Sequence, residues 1–332
     1  MTKMTYKNII KGIILIVFIF LSNKGNCQKN KLIDRDILNV YSDTCLMRII
    51  TDSVRGGRIL NPDYEYLENI RFEKIYYYSG EEKVNGYIIY PIESGLYPCI
   101  IYNRGGNRDF GSITNKFAIK NLAPLASWGY VVIASQYRGS TGATGNDEFG
   151  GEELNDILTL LDILPYVKYA DTSKIGMYGW SRGGMMTYLA LTKTNKIKAA
   201  IVGGGLSDLF LMKESRKDSF ETIYEELIPD YSTNSEEVLK ERSAIHFVES
   251  ICKTTPILML HGSADWRVVP QMALNLSSEF IKNEIPHRLI IFEGGDHALS
   301  EYKDEVSDEV KKWFQKYLKD EITTPSLKPH GN

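Results

Sequence analysis

Strand and helix signals alternate along this chain from Arg71 onward, and this alternation restricts the fold more than any other feature of the sequence. Tyr130–Ser135 is an uninterrupted apolar run, which is typical of a strand buried on both faces. Glu152–Val167 carries leucine and isoleucine side chains at helical spacing. Strands that alternate with helices pair in parallel and have helices on both faces. The sequence therefore predicts an α/β fold with a mostly parallel, doubly wound sheet of eight strands.

The predicted elements follow one another closely along the chain. The first two strands are joined by a short link that contains Gly80, which predicts an antiparallel hairpin at one edge of the sheet. The predicted strands are Arg71–Tyr78, Val84–Tyr90, Pro98–Asn103, Tyr130–Ser135, Lys174–Gly179, Ile197–Val202, Pro256–His261 and Arg288–Phe292, and the predicted helices are Thr114–Trp128, Glu152–Val167, Arg182–Thr192, Gln271–Lys282 and Tyr302–Leu318.

One segment interrupts this order. Leu206–Ser250 lies between two predicted strands, is much longer than a single crossover needs, and contains three helix-like stretches. We interpret it as a helical cap over the carboxyl edge of the sheet. The sequence is accordingly divided into a signal peptide (1–27), an N-terminal extension (28–64), a main domain (65–322) that contains the cap insertion (206–250), and a polar tail (323–332).

The N-terminus has the composition of an export signal. Lysines at positions 3, 7 and 11 precede the apolar run Gly12–Leu21, which is too short for a bilayer core that needs about 20 residues. Cleavage after Cys27 would leave Gln28 as the first residue. We therefore expect a secreted or periplasmic protein, and a lipid anchor on Cys27 and an uncleaved N-terminal anchor remain as alternatives.

The net charge of the chain and the spacing of its possible metal ligands argue against several kinds of partner. The formal net charge of -3 gives no electrostatic reason to expect nucleic acid, or a membrane beyond the N-terminal segment. No histidine, cysteine and carboxylate cluster has metal-ligand spacing, so we expect no metal and no other cofactor. Besides Cys27, the chain contains Cys45, Cys99 and Cys252, and their pairing stays open, as does the oligomeric state.

Gly179-Trp180-Ser181-Arg182-Gly183 fits the pattern G-x-S-x-G between a predicted strand and a predicted helix. Glycines at these two positions permit a tight, strained turn that presents the serine hydroxyl at the edge of the sheet. The N-terminus of the following helix favours negative charge at the same place. Because ligands bind beyond the carboxyl ends of parallel strands, Ser181 is the predicted nucleophile of an acyl-transfer reaction.

A serine nucleophile needs a base and a carboxylate that orients the base. His297 lies in a glycine-rich loop after the last predicted strand and is the predicted base. Asp265 follows another buried strand and is the predicted carboxylate, which gives the order Ser, Asp, His expected for such a fold. Asp208 also follows a strand and remains an alternative, whereas Asp296 adjoins His297 and is expected to point away from it.

Paired glycines also follow the strand Pro98–Asn103. The backbone N–H groups of Gly105 and Gly106 can face a ligand without obstruction, and we expect them to form an oxyanion hole with the N–H of Arg182. We expect the cap to line a pocket for a small acyl group. The predicted substrate contacts are Arg104, Trp180, Phe210, Tyr224 and Trp266.

As a group, these motifs resemble the catalytic domain of the prolyl oligopeptidase family of serine peptidases, which includes dipeptidyl and acylaminoacyl peptidases. The resemblance extends from about Tyr87 to Leu318 and implies an α/β-hydrolase fold with a Ser-Asp-His triad. The shared motifs are Gly179–Gly184, Tyr137–Ser140, Pro256–Val269 and Gly295–His297.

The chain departs from that family at two places. Several members have a tyrosine before the paired glycines, whose hydroxyl helps to bind the oxyanion, and Arg104 stands at that position here. The large members also carry an N-terminal β-propeller. Only about 45 residues separate the predicted cleavage site from the first predicted strand. A single blade needs about 40–45 residues and a propeller needs several blades, so we expect no propeller.

Two enzymatic functions remain open on this basis. The first is a serine-type peptidase that acts on small peptides or amides, and the alternative is a carboxylesterase that deacylates a carbohydrate or another small ester. Both use the same three side chains and take a small molecule or a short peptide as substrate. The presence of all three side chains argues against a third hypothesis, that the chain is a binding protein without catalytic activity.

Overall fold

A nine-stranded sheet forms the centre of the fold in the computed structural model, which describes residues 31–54, 57–216 and 218–331. In chain order the strands are β1 (Leu32–Ile37), β2 (Thr51–Val54), β3 (Gly57–Leu60), β4 (Ile70–Ser79), β5 (Glu82–Pro91), β6 (Tyr97–Asn103), β7 (Val131–Ser135), β8 (Ala170–Trp180), β9 (Ile197–Gly203), β10 (Ile257–Gly262) and β11 (His287–Phe292). The short strands β2 and β3 form a separate antiparallel hairpin.

The spatial order in the central sheet is β1-β4-β5-β7-β6-β8-β9-β10-β11. The six strands from β7 to β11 in this order are parallel, and the three at the other edge pair antiparallel. In β7, Val131 and Ile133 pack into the core on one face, while Val132 and Ala134 pack into the core on the other. The predicted α/β class with a mostly parallel sheet is therefore confirmed.

The prediction of eight strands is wrong by one strand. Leu32–Ile37, in the segment assigned to the N-terminal extension, forms β1 and pairs antiparallel with β4 at the edge of the sheet. Most of its side chains are exposed, and Arg35 Nη1 lies 3.6 Å from Glu73 Oε2. An edge strand needs few apolar side chains, so it lacks the apolar pattern that identifies a buried strand.

Helices cover both faces of the sheet. On one face the core contains Ile157, Met185 and Phe280, and on the other it contains Leu125 and Phe314. The helices are α1 (Thr44–Ile50), α2 (Asn115–Phe117), α3 (Ala123–Ser127), α4 (Glu153–Ile163), α5 (Arg182–Leu191), α6 (Leu209–Arg216), α7 (Asp218–Leu227), α8 (Tyr231–Arg242), α9 (Gln271–Lys282) and α10 (Lys303–Phe314).

The predicted helix Thr114–Trp128 consists of α2, a π-helical turn at Ala118–Leu122, and α3. The Ala123 N–H donates to the carbonyl of Ala118, one residue further back than in an α-helix. Pro124 has no N–H, and its ring would crowd the carbonyl four residues earlier in a regular helix. The wider turn accommodates this proline without ending the helical segment.

The insertion between β9 and β10 is helical, as predicted, and contains α6, α7 and α8. Tyr224 of α7 is fully buried, and its hydroxyl donates to the Leu209 carbonyl at 3.2 Å. Its ring lies 5.7 Å from the rings of Phe149 and Phe220, centroid to centroid. The apolar side of the cap therefore packs onto the segment that precedes α4.

Within the described ranges, no helix has both the length and the hydrophobicity required to cross a bilayer. Cys45, Cys99 and Cys252 are free thiols. The predicted signal peptide, its cleavage after Cys27 and the alternative lipid anchor all lie outside the described residues.

Candidate active site

Ser181 occupies a strained turn between β8 and α5. Its backbone has φ +58° and ψ −124°, in the left-handed region that residues other than glycine rarely adopt. A β-carbon at Gly179 would lie 2.0 Å from the Gly183 carbonyl oxygen, and one at Gly183 would lie 2.0 Å from the Asn103 carbonyl oxygen. Both glycines of the motif are therefore required by the close approach of the surrounding backbone.

His297 and Asp265 are brought together at the same edge of the sheet. The distance from His297 Nδ1 to Asp265 Oδ2 is 2.7 Å, and the Trp180 indole N–H donates to the His297 carbonyl at 2.9 Å. Ser181 and His297 line one cavity. Among the described residues the Ser181 hydroxyl makes no hydrogen bond; such contacts in ligand-free sites often tighten only when substrate binds.

Asp265 is buried and surrounded by donors. Its Oδ1 accepts hydrogen bonds from the backbone N–H groups of Arg267 at 2.9 Å and Val268 at 3.0 Å. His261 Nε2 lies 3.4 Å from Oδ2. Burial by itself would raise the pKa of Asp265, but the close approach of His261 and the hydrogen bonds from His297 and the Val268 N–H hold that pKa well below its usual range. The carboxylate is therefore anionic at neutral pH.

The two rival carboxylates face their own backbone. Asp208 accepts hydrogen bonds from two N–H groups in the first turn of α6, as an N-cap residue does. Asp296 accepts from two N–H groups of its own loop. Asp265 is thus the carboxylate that the structure pairs with His297.

The paired glycines after β6 lie beside Ser181. A β-carbon at Gly105 would be 3.2 Å from Ser181 Cβ, and Gly106 has a positive φ of +72°. Arg182 is the first residue of α5, where backbone N–H groups have no partner within the helix. The backbones of Gly105 and Arg182 therefore adjoin the serine, and Gly106 lines the same cavity.

Arg104 was predicted to contact substrate, and this prediction is wrong. Its side chain is buried, with 1% of the residue exposed, and stacks at 5.0 Å over the ring of Tyr137. Burial and the charge of Arg182 lower the pKa of Arg104 to about 10, so it stays protonated at neutral pH. Its guanidinium donates to the carbonyls of Gly105 (3.1 Å), Arg108 (2.7 Å), Phe110 (3.2 Å) and Gln136 (2.8 Å). It therefore fixes the glycine loop from behind.

The side chain of Arg182 has a structural task that sequence reasoning missed. It forms buried ion pairs with Asp147, at 2.8 Å, and with Glu153. It also donates to the Gly106 carbonyl at 2.9 Å. Burial opposes ionisation of Asp147, but the Arg182 charge lowers the pKa of that carboxyl. Glu153 lies on the apolar face of its helix, four residues before Ile157. This position in the sequence could have indicated that its carboxylate is buried.

The cavity beside Ser181 and His297 has a volume of about 580 Å³. Its walls come from the helical segment 115–127, from the loop after His297 and from α10. None of its lining residues belongs to the cap, in the part of the chain that the structure describes. Its aromatic and aliphatic lining residues include Tyr102, Phe110, Phe117, Leu125, Trp128, Tyr178, Trp180, Val306 and Val310. Besides Ser181 and His297, its charged and polar lining residues are Lys120, Asn121, Arg267, Lys303, Asp304 and Ser307.

The predicted substrate contacts Phe210, Tyr224 and Trp266 do not line this cavity. Tyr224 has no exposed surface, and Phe210 packs edge-on against the His246 ring at 5.6 Å. Trp266 is 65% exposed, and the Arg216 guanidinium stacks on it at 4.5 Å. Among the five predicted substrate contacts, Trp180 lines the cavity.

A second cavity, of about 620 Å³, lies between the cap and the segment before α4. Ser181 and His297 are not among the described residues that line it. Arg108 stands at this cavity and forms an ion pair with Glu226 at 2.7 Å. The carboxylates that line it are Asp147, Glu148, Glu225, Glu226 and Asp230.

Comparison with known proteins gives a consistent result. The model of the prolyl oligopeptidase family, Peptidase_S9, matches residues 115–321, more than half of the chain. The uncharacterized peptidase YtmA of Bacillus subtilis is 31% identical over 202 residues, which are 60% of this chain and 76% of YtmA. Dipeptidyl-peptidase 5 of Porphyromonas gingivalis is 26% identical over 211 residues, which are 60% of this chain and 30% of that protein.

Solved structures have the same fold. The acylaminoacyl peptidase of Pyrococcus horikoshii superimposes with a TM-score of 0.66 at 22% identity, over 82% of this chain and 47% of that one. A Mycobacterium tuberculosis puromycin-hydrolyzing peptidase gives a TM-score of 0.61 at 23% identity, over 71% and 37%. This chain thus spans less than half the length of these larger proteins.

Proposed function

Since this chain belongs to the prolyl oligopeptidase family and is a serine hydrolase, we propose that it hydrolyses small peptides or amides through an acyl-enzyme on Ser181. The observation that carries this proposal is the 2.7 Å contact between His297 and Asp265 at a cavity that Ser181 lines. The strained backbone of Ser181 supports it, because a strained residue persists only where the surrounding structure imposes it.

In the first half of the reaction, His297 Nε2 accepts the proton of the Ser181 hydroxyl while Oγ attacks the carbonyl carbon of the substrate. The carbonyl oxygen becomes an oxyanion, and the backbone N–H groups of Arg182 and of Gly105 or Gly106 stabilise it. Anionic Asp265, hydrogen-bonded to His297 Nδ1, stabilises the imidazolium that forms.

The tetrahedral intermediate then collapses. The bond from carbon to the leaving nitrogen breaks, His297 returns its proton to that nitrogen, and the amine departs, which leaves the acyl group as an ester on Ser181. In the second half, His297 takes a proton from water, whose oxygen attacks the ester carbonyl. Collapse of this second intermediate returns the proton to Ser181 Oγ and releases the acid.

The two buried arginines act as positioning residues for the oxyanion hole. Arg104 binds the Gly105 carbonyl and Arg182 binds the Gly106 carbonyl. The Gly105 carbonyl shares its peptide plane with the N–H of Gly106, so Arg104 holds that predicted donor in its orientation. The Gly106 carbonyl shares its plane with the N–H of Asn107, so Arg182 fixes the loop directly after the predicted donors. Such preorganised donors stabilise the transition state more than flexible ones do, because they need no reorganisation when charge develops on the oxygen.

Labelling with a fluorophosphonate tests this proposal. The reagent should form a covalent adduct on Ser181 and abolish hydrolysis, and Ser181→Ala should not be labelled. Labelling of Ser181→Ala to the same extent would place the nucleophile elsewhere.

The substrate class is tested with matched amides and esters of one acyl group. A carboxylesterase would use the same three side chains, but an amine leaves only when it is protonated, whereas an alkoxide leaves more easily. Turnover of aminoacyl amides supports the peptidase. Turnover of the esters alone, with wild-type labelling at Ser181, would instead support the carboxylesterase.

A further inference from the structure

The cavity beside Ser181 extends along the side of the site that holds the base. Ala298 and Leu299, which follow His297 directly, line it, and the same chain continues into α10, whose residues Val306 and Val310 form the far wall. The position of His297 and the position of this wall are therefore set by one continuous segment.

The chemistry of the base decides which part of a substrate lies there. His297 must return its proton to the leaving group, so the leaving atom has to come within hydrogen-bond reach of its Nε2. The rest of the leaving group then extends away from the imidazole, into the space bounded by the loop after His297 and by α10.

The opposite wall carries two aromatic rings, Phe117 and Trp128, which are both partly exposed; the exposed residues Lys120 and Asn121 lie between them in the chain and also line the cavity. Tyr178 and Trp180 close the floor at the end of β8. Flat apolar surfaces of this kind bind an aromatic ring through contact area and offset or edge-on ring packing. The volume of about 580 Å³ lies within the range, roughly 300–1,000 Å³, that small-molecule sites have.

We propose that this cavity binds the leaving group of the substrate and selects a large apolar, preferably aromatic, leaving group. The inference rests on the proposed acyl-enzyme mechanism. It adds that the cavity recognises the substrate on the leaving-group side of the scissile bond. The acyl group is not selected by this cavity, and the cap takes no part in its walls.

Substrates that share one acyl group and differ in the amine test this inference, because they all pass through the same acyl-enzyme. In Trp128→Ala, kcat/KM for an aromatic amide should fall about tenfold or more relative to a glycinamide with the same acyl group. The rate of deacylation, measured in single-turnover experiments, should be the same as in the wild type. Trp128→Phe should restore most of the lost preference.

Trp266→Ala is the matched control, because Trp266 lies outside the cavity and is largely exposed. It should leave the ratio between the two amides unchanged. If Trp128→Ala is unstable, Phe117→Leu on the same wall should lower the ratio in the same direction. A changed deacylation rate with an unchanged amide ratio would overturn the inference and place the acyl group in the cavity. Fluorophosphonate labelling of each variant separates this outcome from failure of the nucleophile itself.

Discussion

Two cavities of similar volume in this protein differ in what they can do. The one beside Ser181 is lined by the nucleophile, by His297 and by aromatic rings, whereas the one under the cap is lined by five carboxylates and Arg108. Loops that follow strand ends line both cavities, but only the first, among the described residues, contains Ser181 and His297. The presence of these two side chains, rather than volume, therefore identifies the candidate site of the chemistry.

The acidic cavity still has a connection to the active site. Asp147, at its inner wall, accepts hydrogen bonds from the Arg108 N–H at 2.7 Å and from Arg182 at 2.8 Å. The charge of the Asp147 carboxylate thus helps to hold Arg182, the first residue of α5, in place. Glu226, in α7 of the cap, is half-exposed and pairs with Arg108 at the surface.

The largest expected effect concerns the carboxylate that pairs with His297. Asp265→Asn should lower kcat on the order of 10³- to 10⁴-fold, because an amide cannot stabilise the imidazolium and favours the wrong tautomer. Asp208→Asn is the matched control, since Asp208 caps α6, and it should change kcat by less than about threefold. If Asp208→Asn gave the larger loss, the assignment of the carboxylate would be wrong.

Removal of the buried cap tyrosine should affect stability rather than selectivity. Tyr224→Ala should lower the free energy of unfolding by about 3–5 kcal/mol, because it opens a cavity among packed rings. The ratio of kcat/KM between different substrates should stay that of the wild type. Denaturant unfolding and kinetics on the same preparation check both parts, and a changed substrate ranking would return the cap to the binding site.

Asp265 should also make stability depend on pH. Its folded-state pKa lies below the unfolded value of about 3.9, so its contribution is fully present above that value and is lost as pH falls through the folded-state pKa. The difference in unfolding free energy between wild type and Asp265→Asn should shrink on acidification below about pH 5. A difference that stays constant down to pH 2 would contradict the assigned shift.

The smallest effect is expected in the acidic cavity. Glu226→Gln removes a half-exposed ion pair with Arg108, and exposed pairs of this kind contribute about 0–1 kcal/mol. We expect kcat/KM for neutral substrates to change by less than about twofold. A loss comparable to that of Trp128→Ala would show that substrate reaches both cavities, and the contrast between them would fail.

The features that could be predicted from the sequence are those set by which residue directly follows a strand of the sheet. Ser181, Asp265 and His297 each follow a strong strand signal, so the rule that ligands lie at the carboxyl edge was enough to group them. The strand β1 was missed, because an exposed edge strand with charged side chains lacks an apolar pattern.

The walls of the cavities could not be predicted in this way. The apolar side chains of Tyr224 and Trp128 look alike in a sequence, and whether each is packed or exposed to a ligand depends on which helix lies against it. Trp128 and Val310 line one cavity because α3 and α10 pack on the same face of the sheet. Likewise, the position of Arg104 beside the paired glycines did not reveal that its side chain turns away from the substrate.

Detection of the covalent intermediate tests the central claim most directly. Wild-type protein is mixed with an amide substrate, quenched in acid within the first turnover, digested, and analysed by mass spectrometry. We predict that the mass of the acyl group is found on the peptide that contains Ser181, and that Ser181→Ala yields no acylated peptide. Turnover without an acyl group on Ser181, or with the acyl group on another residue, would contradict the account.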